Sequence, residues 1–275
     1  MTDAWSWSVL RAGGLRLDGG GMFGIIPKAM WSSWVGPDET NRIPLETNCL
    51  LLRRGDRTVL VETGCGDKWN DKERAMYGLD GRTVVDALVE ARVDPASIDT
   101  VIVTHLHFDH AGGLTTNDEN GASRPIFPNA EIVVQRREWD DALANRSTMT
   151  RTYLRSNLDP LADRIRLVDG ASAVLPGIRV EPLPGHTPGQ HGVFVETAEG
   201  TVVFPGDLLP TIHHAHHSAA TAYDMEPYET MQVKRRFLER AVDERWTIVL
   251  DHEPGDPVVR ALRDDRGRIR LVTGS

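Results

Sequence analysis

The chain has 275 residues, is 40% hydrophobic and carries a formal net charge of −9. That is enough apolar residue for one large core or two small ones, while an acidic chain gives no electrostatic reason to bind nucleic acid or an anionic membrane. No segment approaches the ~20 apolar residues of a bilayer crossing, and Met1-Thr2-Asp3-Ala4-Trp5 lacks the basic-then-apolar pattern of a secretion signal. Two cysteines, Cys49 and Cys65, do not make a disulfide framework. The expectation is a cytoplasmic protein without stable membrane association, its two thiols free and semi-buried.

In chain order, residues 1–46 are rich in glycine, proline and tryptophan, and 17–46 follow neither a strand nor a helix period. An irregular N-terminal segment lining a site is expected there. Residues 47–53 and 57–62 read as two strands turning at Gly55-Asp56. Apolar residues at 84, 85, 88 and 89, with Asp86 and Glu90 facing outward, predict a short amphipathic helix over 83–91. A nearly all-apolar strand follows at 98–104, then a strand at 130–135 and a helix at 137–144. Strands at 164–168 and 178–182 flank Gly170, and 191–197 with 201–204 form a hairpin turning at Glu199-Gly200. Pro227 is placed to start a helix running to about Asp243, striped by Met231, Phe237, Leu238, Ala241 and Val242. Strands at 246–250 and 269–272 close the chain. Many strands with a few separated helices predict an α+β sandwich of two sheets with helices outside, as a single domain over 1–275.

The chemistry concentrates in Thr104-His105-Leu106-His107-Phe108-Asp109-His110, directly after Val101-Ile102-Val103. Three imidazoles and a carboxylate after a buried strand are poor core material and good ligands for two divalent metals. Gly112-Gly113 then lets the chain turn sharply. Three further candidates stand at strand-to-loop transitions: His186 in Pro184-Gly185-His186-Thr187-Pro188, Asp207 in Phe204-Pro205-Gly206-Asp207, and His252 in Val249-Leu250-Asp251-His252. Asp207 is a candidate bridge between two ions; Asp251 and Glu253 are assigned to supporting or solvated positions. Imidazole with carboxylate, and no thiolate in the set, suits zinc first, with iron, manganese or cobalt as alternatives. His213, His214, His216 and His217 read as a loop over the pocket, with adventitious metal binding as the competing reading, and His191 as a packing residue.

The set His105, His107, Asp109, His110, His186, Asp207 and His252 resembles the dinuclear members of the metallo-β-lactamase superfamily, over about residues 40–255. The resemblance implies a four-layered αβ/βα sandwich with the site at one edge of its two sheets. It implies His105, His107 and His186 on one ion, Asp109, His110 and His252 on the other, Asp207 bridging them, and a hydroxide between the ions as nucleophile. Aspartate at 207, where some β-lactamases carry cysteine and others serine, disfavours a β-lactamase. The stretches Gly19-Gly20-Gly21-Met22-Phe23-Gly24-Ile25-Ile26-Pro27-Lys28, Asn41-Arg42-Ile43-Pro44-Leu45 and Gly206-Asp207-Leu208-Leu209-Pro210 are similar to quorum-quenching N-acyl-homoserine lactonases. They are also similar to organophosphate hydrolases of the methyl-parathion type.

The expected function is therefore lactone-ring opening of N-acyl-homoserine lactones. The alternatives are a phosphotriesterase or arylesterase, another hydrolase of the superfamily, and a non-enzymatic metal-binding module. Asp109 would shuttle the proton to the leaving alkoxide, and Met22 and Phe23 would wall an acyl pocket. The known lactonases carry a substrate-contacting tyrosine three residues after the bridging aspartate, where this chain has Pro210; Tyr223 is the candidate substitute, with ordinary packing as the competing reading. A small ester or lactone is the expected partner, and a homodimer is left open.

Overall fold

A computed structural model describes residues 4–149 and 151–274; residues 1–3, on which part of the secretion-signal expectation rests, lie outside them. Strand alternation builds the layers. In Arg42–Arg54, Leu50 and Leu52 point to one face and Leu51 to the other; in Arg57–Val61, Val59 and Val61 point one way and Leu60 the other. The face with Leu50, Leu52, Val59, Val61, Ile102 and Val133 meets Val180, Val193, Val195, Val202, Phe204 and Val249 of a second sheet, forming the central core. The opposite face packs on the helices Val84–Glu90 and Arg136–Leu143 through Val84, Leu88 and Trp139. The second sheet's outer face, with Phe194, Val203 and Ile248, packs on Pro227–Asp243 through Val233, Phe237 and Ala241.

The result is the expected α+β four-layer sandwich. The first sheet has six strands in the order Ser6–Asp18, Arg42–Arg54, Arg57–Val61, Thr100–Ile102, Glu131–Gln135, Ile165–Val168. The second has seven, ordered Ile269–Thr273, Val258–Arg263, Thr247–Val249, Gly200–Phe204, His191–Thr197, Ile178–Pro182, Ser172–Leu175. Among the described residues, no helix is long and apolar enough to cross a membrane.

One expectation is corrected. The N-terminal segment is not irregular throughout: Ser6–Asp18 is a 13-residue edge strand, antiparallel to Arg42–Arg54. Its period is hidden because residues of both faces pack into apolar clusters and the register shifts between Arg11 and Gly14. Between these strands, Gly19–Phe23 and Lys28–Trp31 are short helices whose Met22, Phe23 and Trp31 fill an apolar cluster with Phe108 and Ala219. The strands Val258–Arg263 and Ser172–Leu175 and the helix Asp71–Tyr77 were not foreseen either.

Candidate metal centre

Every candidate ligand follows the C-terminal end of a strand. Thr100–Ile102 of the first sheet leads into His105, His107, Asp109 and His110; the second sheet's Ile178–Pro182, Gly200–Phe204 and Thr247–Val249 lead into His186, Asp207 and His252. The two sheets are tied where these loops meet. Asn48 of the first sheet donates its side-chain amide to the carbonyls of Leu250 and Glu253, both at 2.9 Å, and its backbone N–H to that of Asp251 at 2.7 Å.

The ligand atoms fall into two groups. His105, His107 and His186 offer nitrogens within 4.8 Å of one another, and the ligand atoms of His110, Asp207, Asp251 and His252, nitrogens and carboxylate oxygens, are equally close. Asp207 reaches both groups with separate oxygens. Its Oδ2 lies 3.0 Å from His186 Nε2 and 3.9 Å from His105 Nε2, whereas Oδ1 lies 3.2 Å from His252 Nε2 and 3.5 Å from His110 Nε2. Asp109 sits at the second group, 3.7 Å from both His110 Nε2 and His252 Nε2.

The far side of four of the five rings is held, which fixes the nitrogen that faces inward; His107, whose Nδ1 faces His186 at 3.0 Å, has no such partner at Nε2. His252 Nδ1 donates to the Glu46 carbonyl at 2.8 Å, and His186 Nδ1 to Asp224 Oδ1 at 2.8 Å. His105 Nδ1 meets the Thr104 hydroxyl at 3.1 Å, and His110 Nδ1 lies 3.4 Å from Glu62 Oε2. Glu62 adopts a left-handed φ of 68°, and its other oxygen accepts the Thr104 N–H at 2.7 Å. Backbone strain is thus carried where the support of the site requires it.

Electrostatics follow from burial and crowding. Burial, reinforced by neighbouring imidazoles, holds His105 and His107 well below the usual histidine range. For His186, burial alone would lower the pKa, but Asp207 and Asp224 outweigh it and raise it to about 10. His252 is likewise depressed by burial yet raised to about 10 by Asp251 and Asp207. Burial disfavours the charged form of Asp207, yet His186, His252 and His110 hold it well below the carboxylate range. A carboxylate ringed by imidazoles is a place where positive charge is wanted.

The donor set fits divalent metal. His105 Nε2 and Asp207 Oδ1 are buried with no hydrogen-bond partner, and unpartnered buried lone pairs are costly unless something binds them. Nitrogen and carboxylate oxygen without thiolate is chemistry that zinc and its neighbours accept.

Sequence reasoning did not single out several residues. Asp251 is 2% exposed and falls within the second ligand group, although it had been given only a supporting or solvated place. Asp224, Glu62 and Glu138 carried no local signal. His214 is fully buried, stacked on Phe23 at 5.2 Å and bonded to Thr211 Oγ1 and the Met22 carbonyl, so it anchors its segment by packing. His213 instead stacks on Trp34 at 5.8 Å, and with His216 and His217 lines an open cleft of about 680 Å³. Met22 and Phe23 are 2% and 0% exposed, closed off from solvent in the apolar cluster. Tyr223 packs at the edge of that cluster, its hydroxyl against Gly21.

A family model described as the metallo-beta-lactamase superfamily matches residues 42–252. The N-acyl homoserine lactonase AiiA of Bacillus thuringiensis subsp. kurstaki is 30% identical over 175 residues, 60% of this chain and 62% of that protein. The match therefore spans less than two thirds of that relative's length. Among solved structures, a probable metal-dependent hydrolase from Staphylococcus aureus superposes with a TM-score of 0.89 at 29% identity, over 100% of this chain and 99% of the other. The dizinc quorum-quenching lactonase AidC, in complex with its product, gives a TM-score of 0.82 over 100% and 96% of the two chains; at 18% identity that likeness speaks to the fold.

Proposed function

The chain belongs to the metallo-β-lactamase superfamily, and on that premise we propose that it is a dinuclear metallohydrolase that opens the lactone ring of N-acyl-homoserine lactones. The observation that carries the dinuclear reading is Asp207, which presents one oxygen to each of two histidine groups. The choice of lactone over other esters rests on the relative named an N-acyl homoserine lactonase, at 30% identity.

In this reading His105, His107 and His186 would hold one cation, His110, His252 and Asp109 the other, and Asp207 would serve both. Two divalent cations there, zinc first and iron, manganese or cobalt as substitutes, would acidify a water at neutral pH and polarise the ester carbonyl. The chain's own groups do the rest. Asp109, beside the ring nitrogens of His110 and His252, takes a proton and returns it to the leaving alkoxide. Tyr223 is kept protonated, its phenol pushed up to about 12 by burial and by Asp18 and Asp109, and so serves as a hydrogen-bond donor to the substrate. Met22 and Phe23 share their cluster with Phe108, the residue before Asp109, so the acyl chain packs against that cluster. Because both are closed off from solvent, entry of the chain requires residues 19–35 to yield. We read residues 1–275 as one domain of a cytoplasmic enzyme.

The test compares acyl-homoserine lactones of several chain lengths with a paraoxon-type phosphotriester, on zinc-loaded protein. The ring-opened acyl-homoserine, identified by mass, is expected as the product of the favoured substrate. Faster turnover of the phosphotriester, or no ring-opened product, would overturn the lactonase reading.

A further inference from the structure

The helix Arg136–Leu143 carries a fully buried carboxylate, Glu138, that touches none of the ligand atoms yet is bonded to the chain on either side of them. Glu138 Oε1 accepts the backbone N–H of Leu106 at 2.9 Å, and Leu106 lies between His105 and His107. Glu138 Oε2 accepts the hydroxyl of Thr187 at 2.5 Å, and Thr187 directly follows His186. Tyr153 donates its hydroxyl to Oε1 at 3.0 Å while its ring lies 5.1 Å from that of His107. The ligand loop of the second sheet is also pressed on this residue's backbone: a Cβ at Gly189 would collide with the N, Cα and Cβ of Glu138.

Burying a carboxylate this deeply is expensive unless it is well bonded, and burial indeed pushes the Glu138 pKa up against the three donors that pull it down. A core position would be filled more cheaply by leucine or methionine. The three donors come from three separate stretches of chain, and two of them are immediate neighbours of ligands in the first group. One carboxylate therefore sets the distance between the His105–His107 loop and the His186 loop.

We propose that Glu138 is a positioning residue for the first metal, holding His105, His107 and His186 in register across the two sheets. It does so through their backbone neighbours rather than by contact with the metal. This rests on the assignment of those three histidines as ligands. The second group, His110, Asp109 and His252, has its own supports in Glu62 and the Glu46 carbonyl, so the effect is confined to one ion.

The test is zinc binding by metal-free protein, in competition with a chromophoric chelator, for wild type, Glu138→Gln and Asp141→Asn. Asp141 is buried on the same helix, and its carboxylate pairs with Arg137 and Arg146 rather than with a ligand loop, so its variant reports the cost of disturbing a buried carboxylate of this helix. Glu138→Gln is expected to weaken one zinc equivalent about 10–100-fold and leave the other within about threefold. Cobalt-substituted protein should show altered visible bands from that one site, and Asp141→Asn should do neither. Unchanged affinities in Glu138→Gln, or equal weakening of both equivalents in both variants, would overturn the proposal. If Glu138→Gln does not fold, Thr187→Val is measured in its place: weakening of the same equivalent supports the proposal and wild-type binding contradicts it. Failure of the wild type to bind two zinc ions would instead strike the ligand assignment itself.

Discussion

At the residue scale, the division of labour inside the site separates two carboxylates that look alike in sequence. Asp207 is placed among the four rings of His105, His110, His186 and His252 and holds its charge against burial, which suits a bridge. Asp109 keeps one oxygen 3.7 Å from His110 Nε2 and the other 3.7 Å from His252 Nε2, farther than Asp207 lies from the same rings, so it is the more loosely held carboxylate and the one assigned to carry a proton. Asp109→Asn should therefore lower kcat for lactone opening by about 10²–10⁴-fold, the usual weight of a general acid, and Tyr223→Phe by about a hundredfold, as for one lost donor to a developing oxyanion. Steady-state kinetics on both variants checks this; wild-type kcat in either would remove that residue from the mechanism. The ligands were legible because four of them lie within six residues and the other three stand in glycine- or proline-marked turns. Glu62, Glu138 and Asp224 were not, since each acts on a partner 32 to 49 residues away, with no local pattern to mark it.

At the scale of elements, the helix Pro227–Asp243 is the segment where sequence and structure coincide most closely, because a proline start and an apolar stripe define it without tertiary help. The strand Ser6–Asp18 is the converse. Apolar residues pack on both of its faces, the shift near Gly13-Gly14 breaks its period, and only pairing with Arg42–Arg54 makes it a strand. The long helix also carries an unforeseen cost in Lys234, 1% exposed, whose ammonium donates to the Ala219 carbonyl at 2.6 Å. Burial lowers its pKa to about 8 from the model-peptide value of 10.5. Below pH 8 the lysine is charged in both folded and unfolded chains and contributes no pH slope. Between about 8 and 10.5 the unfolded chain keeps a proton that the folded chain has released, so stability rises with pH. Two to three pKa steps amount to roughly 3 kcal/mol. Urea unfolding at pH 7.5 and pH 10 should show wild type gaining stability relative to Lys234→Met; parallel shifts in both proteins would mean that the lysine stays charged.

At the scale of the whole molecule, the site exists only because two sheets meet. One sheet supplies His105, His107, Asp109 and His110, the other His186, Asp207 and His252, so each proposed metal takes ligands from both halves of the sandwich. The sandwich itself could be anticipated from the number of strands and the outlying helices, but the meeting of the strand ends depends on contacts such as those of Asn48 with Leu250 and Glu253, which no linear pattern marks. The proposed sharing of Asp207 would make the two metals a single functional unit. The most direct measurement is a zinc titration of metal-free protein, following ring opening of an acyl-homoserine lactone at each addition, with Asp207→Ala alongside. The account predicts that full activity requires two zinc ions per chain and that the variant remains inactive at saturation. Full activity with one zinc ion, or with none, or an active Asp207→Ala, would contradict it.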